Sequence, residues 1–167
     1  IGYPTGALYE RRRRTFDYAP GPSAESAGEG AGGPPTGGRD RLLAFIEREL
    51  KPAIADLVPV DRSRQTLFGH SLAGFFTLDV LTRDRNAFQS YVAVSPSIWW
   101  DEPRLHAGLS ASQAAPLRLA IMVGEWEQAL APWQEGQPDS AMLAARRSRR
   151  AMVERARRFA ELAAGIF

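Results

Sequence analysis

Leu67-Phe68-Gly69-His70-Ser71-Leu72-Ala73-Gly74-Phe75-Phe76 is the stretch that decides the fold of this 167-residue chain. An apolar run enters, a serine follows, and a second apolar run of helical length leaves. Within it, Gly69-His70-Ser71-Leu72-Ala73 matches Gly-x-Ser-x-small, with alanine where the strict pattern has glycine. A serine on a sharp strand-to-helix turn needs small residues two before and two after it, because the two backbones pass closely there. Ala73 meets that need. The turn directs the Ser71 hydroxyl to the carboxyl edge of a sheet and sets a helix N-terminus beneath any developing oxyanion. The bland alternative is a serine that only caps the following helix.

Outward from this turn, helical and strand patterns alternate. Leu42, Leu43, Phe45, Ile46, Leu50, Ile54 and Leu57 recur at three- and four-residue spacing, predicting an amphipathic helix over 39–57 that Pro52 kinks or splits. Residues 65–68, 88–94 and 117–123 read as strands, 72–81 as a helix, and 139–164 as one long Ala- and Arg-rich helix. Such alternation predicts an α/β fold: a mostly parallel sheet with helices on both faces. Residues 19–38 hold seven glycines and four prolines and predict a flexible loop inside a single domain. No Lys-Ser/Thr pair follows that loop, so it does not read as a phosphate cradle.

Composition sets limits. No apolar run approaches the ~18 residues needed to cross a bilayer. The absence of cysteine removes thiolate catalysis and sulfur-ligated zinc, and leaves His70 and His106 as the only imidazoles. No metal site is expected from two distant histidines. The net charge is +2, and its cations are arginines apart from Lys51. The arginines of 146–158 share a helix with Glu154 and Glu161, which favours a solvated face over a nucleic-acid surface. Arg11–Arg14 could steer an anionic substrate.

At the residue level the chain resembles the putative-esterase family of α/β-hydrolases, and within it the siderophore esterases. The resemblance rests on Gly69-His70-Ser71-Leu72-Ala73-Gly74, on Phe88 and Tyr91 leading to Ser95-Pro96-Ser97-Ile98-Trp99-Trp100, and on Val123-Gly124-Glu125-Trp126-Glu127. It implies a serine ester hydrolase that acts on a small-molecule ester without a cofactor. Ser71 would be the nucleophile. The Leu72 N–H would be one oxyanion donor and Tyr3 the second, with Gly2 in reserve because Pro4 has no N–H. Glu127 would be the acid of the triad, with Glu125 as competitor. Trp99 and Trp100 would either stack on the substrate or pack their loops.

The base is the gap in this reading. His70 is expected to point away from Ser71, and His106 to sit in a polar surface or lid segment. The family's catalytic histidine follows one further strand, whereas this chain opens on Ile1 and closes on Gly165-Ile166-Phe167. The resemblance therefore implies a piece truncated at both ends, lacking its histidine and poorly active alone. A non-catalytic α/β binding domain, or an acyltransferase of the same fold, is the competing class.

Overall fold

The structure is a computed structural model, and it describes residues 6, 10–26, 33–111 and 117–166. The chain divides into two compact units, residues 1–61 and 62–167.

In the first unit, helix α1 spans Arg11–Tyr18, α2 spans Arg39–Phe45 and α3 spans Lys51–Leu57. A π-helical turn, Ile46–Leu50, joins α2 to α3 without a break. Its place just before Pro52 has a physical reason. Proline has no N–H to donate and its ring crowds the carbonyl four residues back, and a wider turn relieves both. Pro52 therefore widens the helix rather than splitting it. The apolar stripe is only half used: Leu42, Leu43 and Ile46 are buried, whereas Ile54 and Leu57 are exposed.

The described flanks of the Gly/Pro-rich stretch are pinned. Ala19 is fully buried, and its carbonyl accepts the Gly37 N–H at 2.8 Å. Ser23 and Ser26 exchange hydrogen bonds through their hydroxyls and backbones. At Gly38 a Cβ would stand 2.6 Å from the Phe16 ring, so that position must lack a side chain.

The second unit is built on three parallel strands in the order β1 (Thr66–His70), β2 (Ser90–Val94) and β3 (Arg118–Met122). Gly69, Ala93 and Ile121 share one register row, and Leu67, Tyr91 and Leu119 another. Both rows face the helices. Helix α4 (Leu72–Arg83) packs on β1 and β2, and α5 (Glu102–Ser110) packs on α4. Two more helices follow, α6 (Ser140–Arg150) and α7 (Met152–Ala164), of which α7 lies against β3. Phe75, Leu78, Leu81, Tyr91, Leu105, Leu109 and Phe159 form the core. The alternate strand residues point the other way, and there Phe68 is 64% and Met122 55% exposed.

Two features of this unit differ from the sequence reading. The polar segment after the Trp pair is helical, begun by Asp101, whose Oδ1 accepts the Arg104 N–H at 3.1 Å. The single helix expected over 139–164 is two, separated at Ala151, whose φ of 41° and ψ of 48° are left-handed. No glycine marks that break, so the pattern of apolar residues ran through it unseen. Buried Asp79 of α4 ties the helical layer together, accepting from Arg104 Nε at 2.6 Å.

Candidate functional site

The three strands end side by side, and each carboxyl end delivers side chains to a single cavity of about 270 Å³. Ser71 comes from β1, Ser95 from β2 and Glu127 from the loop after β3.

Ser71 has φ 60° and ψ −120°, a conformation costly for any residue with a side chain. Three backbone hydrogen bonds hold it there. Its N–H donates to the Val94 carbonyl at 2.9 Å, and its own carbonyl accepts from Phe75 at 3.0 Å and from Ser97 at 3.1 Å. The small neighbours are required sterically. A Cβ on Gly69 would overlap the Ala73 carbonyl and stand 2.5 Å from Thr77 Oγ1, and one on Gly74 would come within 3.0 Å of Pro96 Cα. Leu72 opens α4, so its N–H is among the first-turn donors that an α-helix leaves without an internal acceptor.

Ser95 is the second strained serine, at φ 46°. Its N–H donates to the Met122 carbonyl at 2.7 Å, which ties the ends of β2 and β3 together. Its buried hydroxyl donates to Glu127 Oε1 in a short hydrogen bond. The same oxygen accepts the Gly124 N–H at 3.1 Å, and the Glu127 N–H returns to the Gly124 carbonyl at 3.2 Å. Oε1 is thus fixed by two donors. Glu125 is exposed and lies outside the cavity lining.

Of the two histidines, His70 is among the residues that line the cavity with Ser71. His106 sits on α5 with Nε2 3.7 Å from Glu102 Oε1, and Glu102 also meets Arg155. It takes no part in the cavity. Trp99 lines the site and Trp100 packs beside it, ring centroids 5.6 Å apart. Tyr3 and Gly2 lie outside the described residues.

Sequence reasoning missed the remaining wall. Arg146, Arg147 and Arg150 of α6 line the cavity, whereas the composition suggested a solvated face. Arg147 donates to the Ala129 carbonyl and to Gln134 Oε1, both at 2.7 Å, and holds the loop after β3. The Arg150 guanidinium lies over the Trp99 ring, 3.8 Å from its centroid. The four-residue spacing of Arg146 and Arg150 was the available signal, but the direction that helix face takes depends on the break at Ala151. Arg11–Arg14 lie on α1 of the first unit. Among the described residues no group of three or more His, Cys, Asp or Glu side chains is placed to hold a metal ion, and no helix is long and apolar enough to cross a membrane.

Known proteins share this arrangement of chain. The ferri-bacillibactin esterase BesA of Bacillus subtilis (strain 168) is 37% identical over 139 residues, covering 77% of this chain and 47% of that protein. The siderophore triacetylfusarinine C esterase of Aspergillus fumigatus is 35% identical over 144 residues, covering 81% of this chain and 47% of its own length. The chain therefore spans about half the length of these curated relatives. Among solved structures, the siderophore hydrolase EstB from Aspergillus nidulans superposes with a TM-score of 0.78 at 32% identity, over 96% of this chain and 56% of that one. Strand order, elbow and these likenesses give an α/β-hydrolase fold. The model of the Putative esterase family matches residues 11–161, running through both compact units, and the chain belongs to that family.

Proposed function

We propose that the protein is a serine-dependent carboxylic ester hydrolase whose substrates are small siderophore-type esters, with Ser71 as nucleophile. The observation that carries this reading is the strained elbow of Ser71 sharing one cavity with a fixed carboxylate, Glu127. In an acyl transfer, Ser71 Oγ attacks the ester carbonyl as a base takes its proton. The carbonyl oxygen gains charge and is stabilised by backbone donors, of which the Leu72 N–H is one. The C–O bond then breaks, the alcohol leaves with a proton, and water releases the acid by the reverse sequence.

Glu127 is suited to orienting that base. Both hydrogen bonds described at its carboxylate fall on Oε1, which leaves Oε2 to accept from an imidazole. Neither histidine of this chain fills the base's place in our reading. His70 adjoins Ser71 on the strand and emerges on the Phe68 side of it, and His106 stands on α5 beside Glu102, outside the cavity lining. The base is a histidine supplied from outside residues 1–167, as the relatives' greater length allows. Alone, this chain then turns over esters poorly, since losing a triad member costs about 10⁴-fold or more in rate.

A fluorophosphonate probe tests the reading on this chain and on one extended at both ends. Labelling of the extended chain that disappears in Ser71→Ala is the expected result. An extended chain that stays unlabelled is a binding domain with a hydrolase elbow. Labelling accompanied by acyl transfer to an added alcohol in preference to water would make it an acyltransferase. Robust hydrolysis of a p-nitrophenyl ester by residues 1–167, abolished by Ser71→Ala, would show that the base lies within this chain.

A further inference from the structure

We propose that Arg147 and Gln128 are positioning residues for the Glu127 carboxylate, tying the loop that carries it to α6 and α7. This rests on Ser71 and Glu127 serving one reaction, and it adds how the acid is kept in place.

Residues 123–131 contain no helix or strand that could hold Glu127 by itself. The bonds from the Gly124 N–H to Glu127 Oε1 and from the Glu127 N–H to the Gly124 carbonyl close one turn and travel with it. They cannot decide where that turn stands relative to the sheet. Fastenings from other elements do. Ser95 holds the carboxylate itself. Two residues beyond Glu127, Arg147 Nη1 donates to the Ala129 carbonyl and to Gln134 Oε1, both at 2.7 Å, and Gln134 Oε1 also accepts the Ala131 N–H at 3.1 Å. A terminal guanidinium nitrogen carries two hydrogens, so Nη1 is wholly committed to the loop, and bonds from a charged donor are the stronger kind. Between Glu127 and Ala129, Gln128 Oε1 accepts the Glu154 N–H at 2.8 Å. Glu154 is the third residue of α7, and Ala151, which precedes that helix, has no side-chain oxygen to cap it. The neighbour of the acid therefore caps α7, and the helix start and the loop locate each other. Helices α6 and α7 meet at the left-handed Ala151, so the angle set there places both fastenings. Small errors in placement are costly, since a displacement of about 1 Å can lose on the order of 10²-fold in rate.

The extended chain, with p-nitrophenyl butyrate as a neutral ester, tests this. Arg147→Met keeps an apolar stem and removes the donors; kcat should fall about tenfold with KM within about threefold, and hydrogen exchange across residues 124–134 should quicken at least about fivefold. Arg147→Lys, which can still reach one acceptor, should recover part of the rate. Gln128→Ala should lower kcat about threefold at the same KM, and Gln128→Glu, which keeps an acceptor for the Glu154 N–H, should restore it. Arg149→Gln removes a charge at an exposed position of the same helix, outside the cavity lining, and should change neither readout. Unaltered exchange or unaltered kcat in Arg147→Met would overturn the proposal. So would a KM that rises only for an ester bearing a carboxylate, which would make Arg147 a substrate contact. Fluorophosphonate capture scores the hydrolase reading separately. A chain that captures the probe but is indifferent to Arg147→Met keeps Ser71 and loses the positioning role. One that captures nothing loses the enzyme, while exchange still decides whether Arg147 holds the loop.

Discussion

At the scale of single residues, the site is held by positions that tolerate no ordinary substitution. Gly69→Ala would drive a methyl group into the Ala73 carbonyl, a backbone atom that cannot rotate aside. Urea unfolding should show a loss of about 3 kcal/mol or more, larger than typical overpacking because the clash is with main chain. Ser95→Ala removes a buried donor from a carboxylate, and the expected cost is about 1.5–3 kcal/mol for a hydrogen bond to a charged group. In the extended chain it should also lower kcat while KM holds, since Glu127 would lose one of two donors that fix it. Much of this was legible in the sequence. The small residues around Ser71 and the serine pair beside Pro96 were visible as motifs, whereas the link from Ser95 to Glu127 was not. It joins residues 32 positions apart and exists only because β2 and β3 end side by side.

At the scale of elements, strands and the elbow helix could be placed from their patterns to within a few residues, because burial on one face imposes a period that the sequence must obey. The breaks were harder to see. Ala151 adopts left-handed backbone without being glycine, and this costs roughly 1 kcal/mol that packing on either side must offset. Ala151→Gly is therefore expected to raise stability slightly, by at most about 1 kcal/mol, and Ala151→Val to lower it by more, as thermal melts would register. The α4 to α5 contact supplies a second test. Asp79 is fully buried against Arg104, and Asp79→Ala leaves that guanidinium without its carboxylate, at an expected cost of about 3–5 kcal/mol. Replacing both residues by methionine and leucine should recover most of it, because the pair's own net contribution is small.

At the scale of the whole molecule, the strand order places two serines and a carboxylate on one edge, and that is what lets a fold argument become a chemical one. The sequence could say that a serine stood on a turn. It named Glu127 ahead of Glu125 only through the family resemblance, and it could not say that a helix read as solvated would turn arginines to the cavity, because that depends on how separate elements are set against a common sheet. The same sheet carries Phe68 and Met122 outward on the side away from α4 and α7. Two large apolar groups on a flat, partly exposed strand surface attract others of their kind, and the outer edge of β3 has no described strand beside it. Residues 1–167 should accordingly turn sticky as they are concentrated, with a sedimentation coefficient that climbs with loading. Threonine at both positions should flatten that rise while leaving the far-ultraviolet spectrum unchanged, which would make the substituted chain the practical one for spectroscopy.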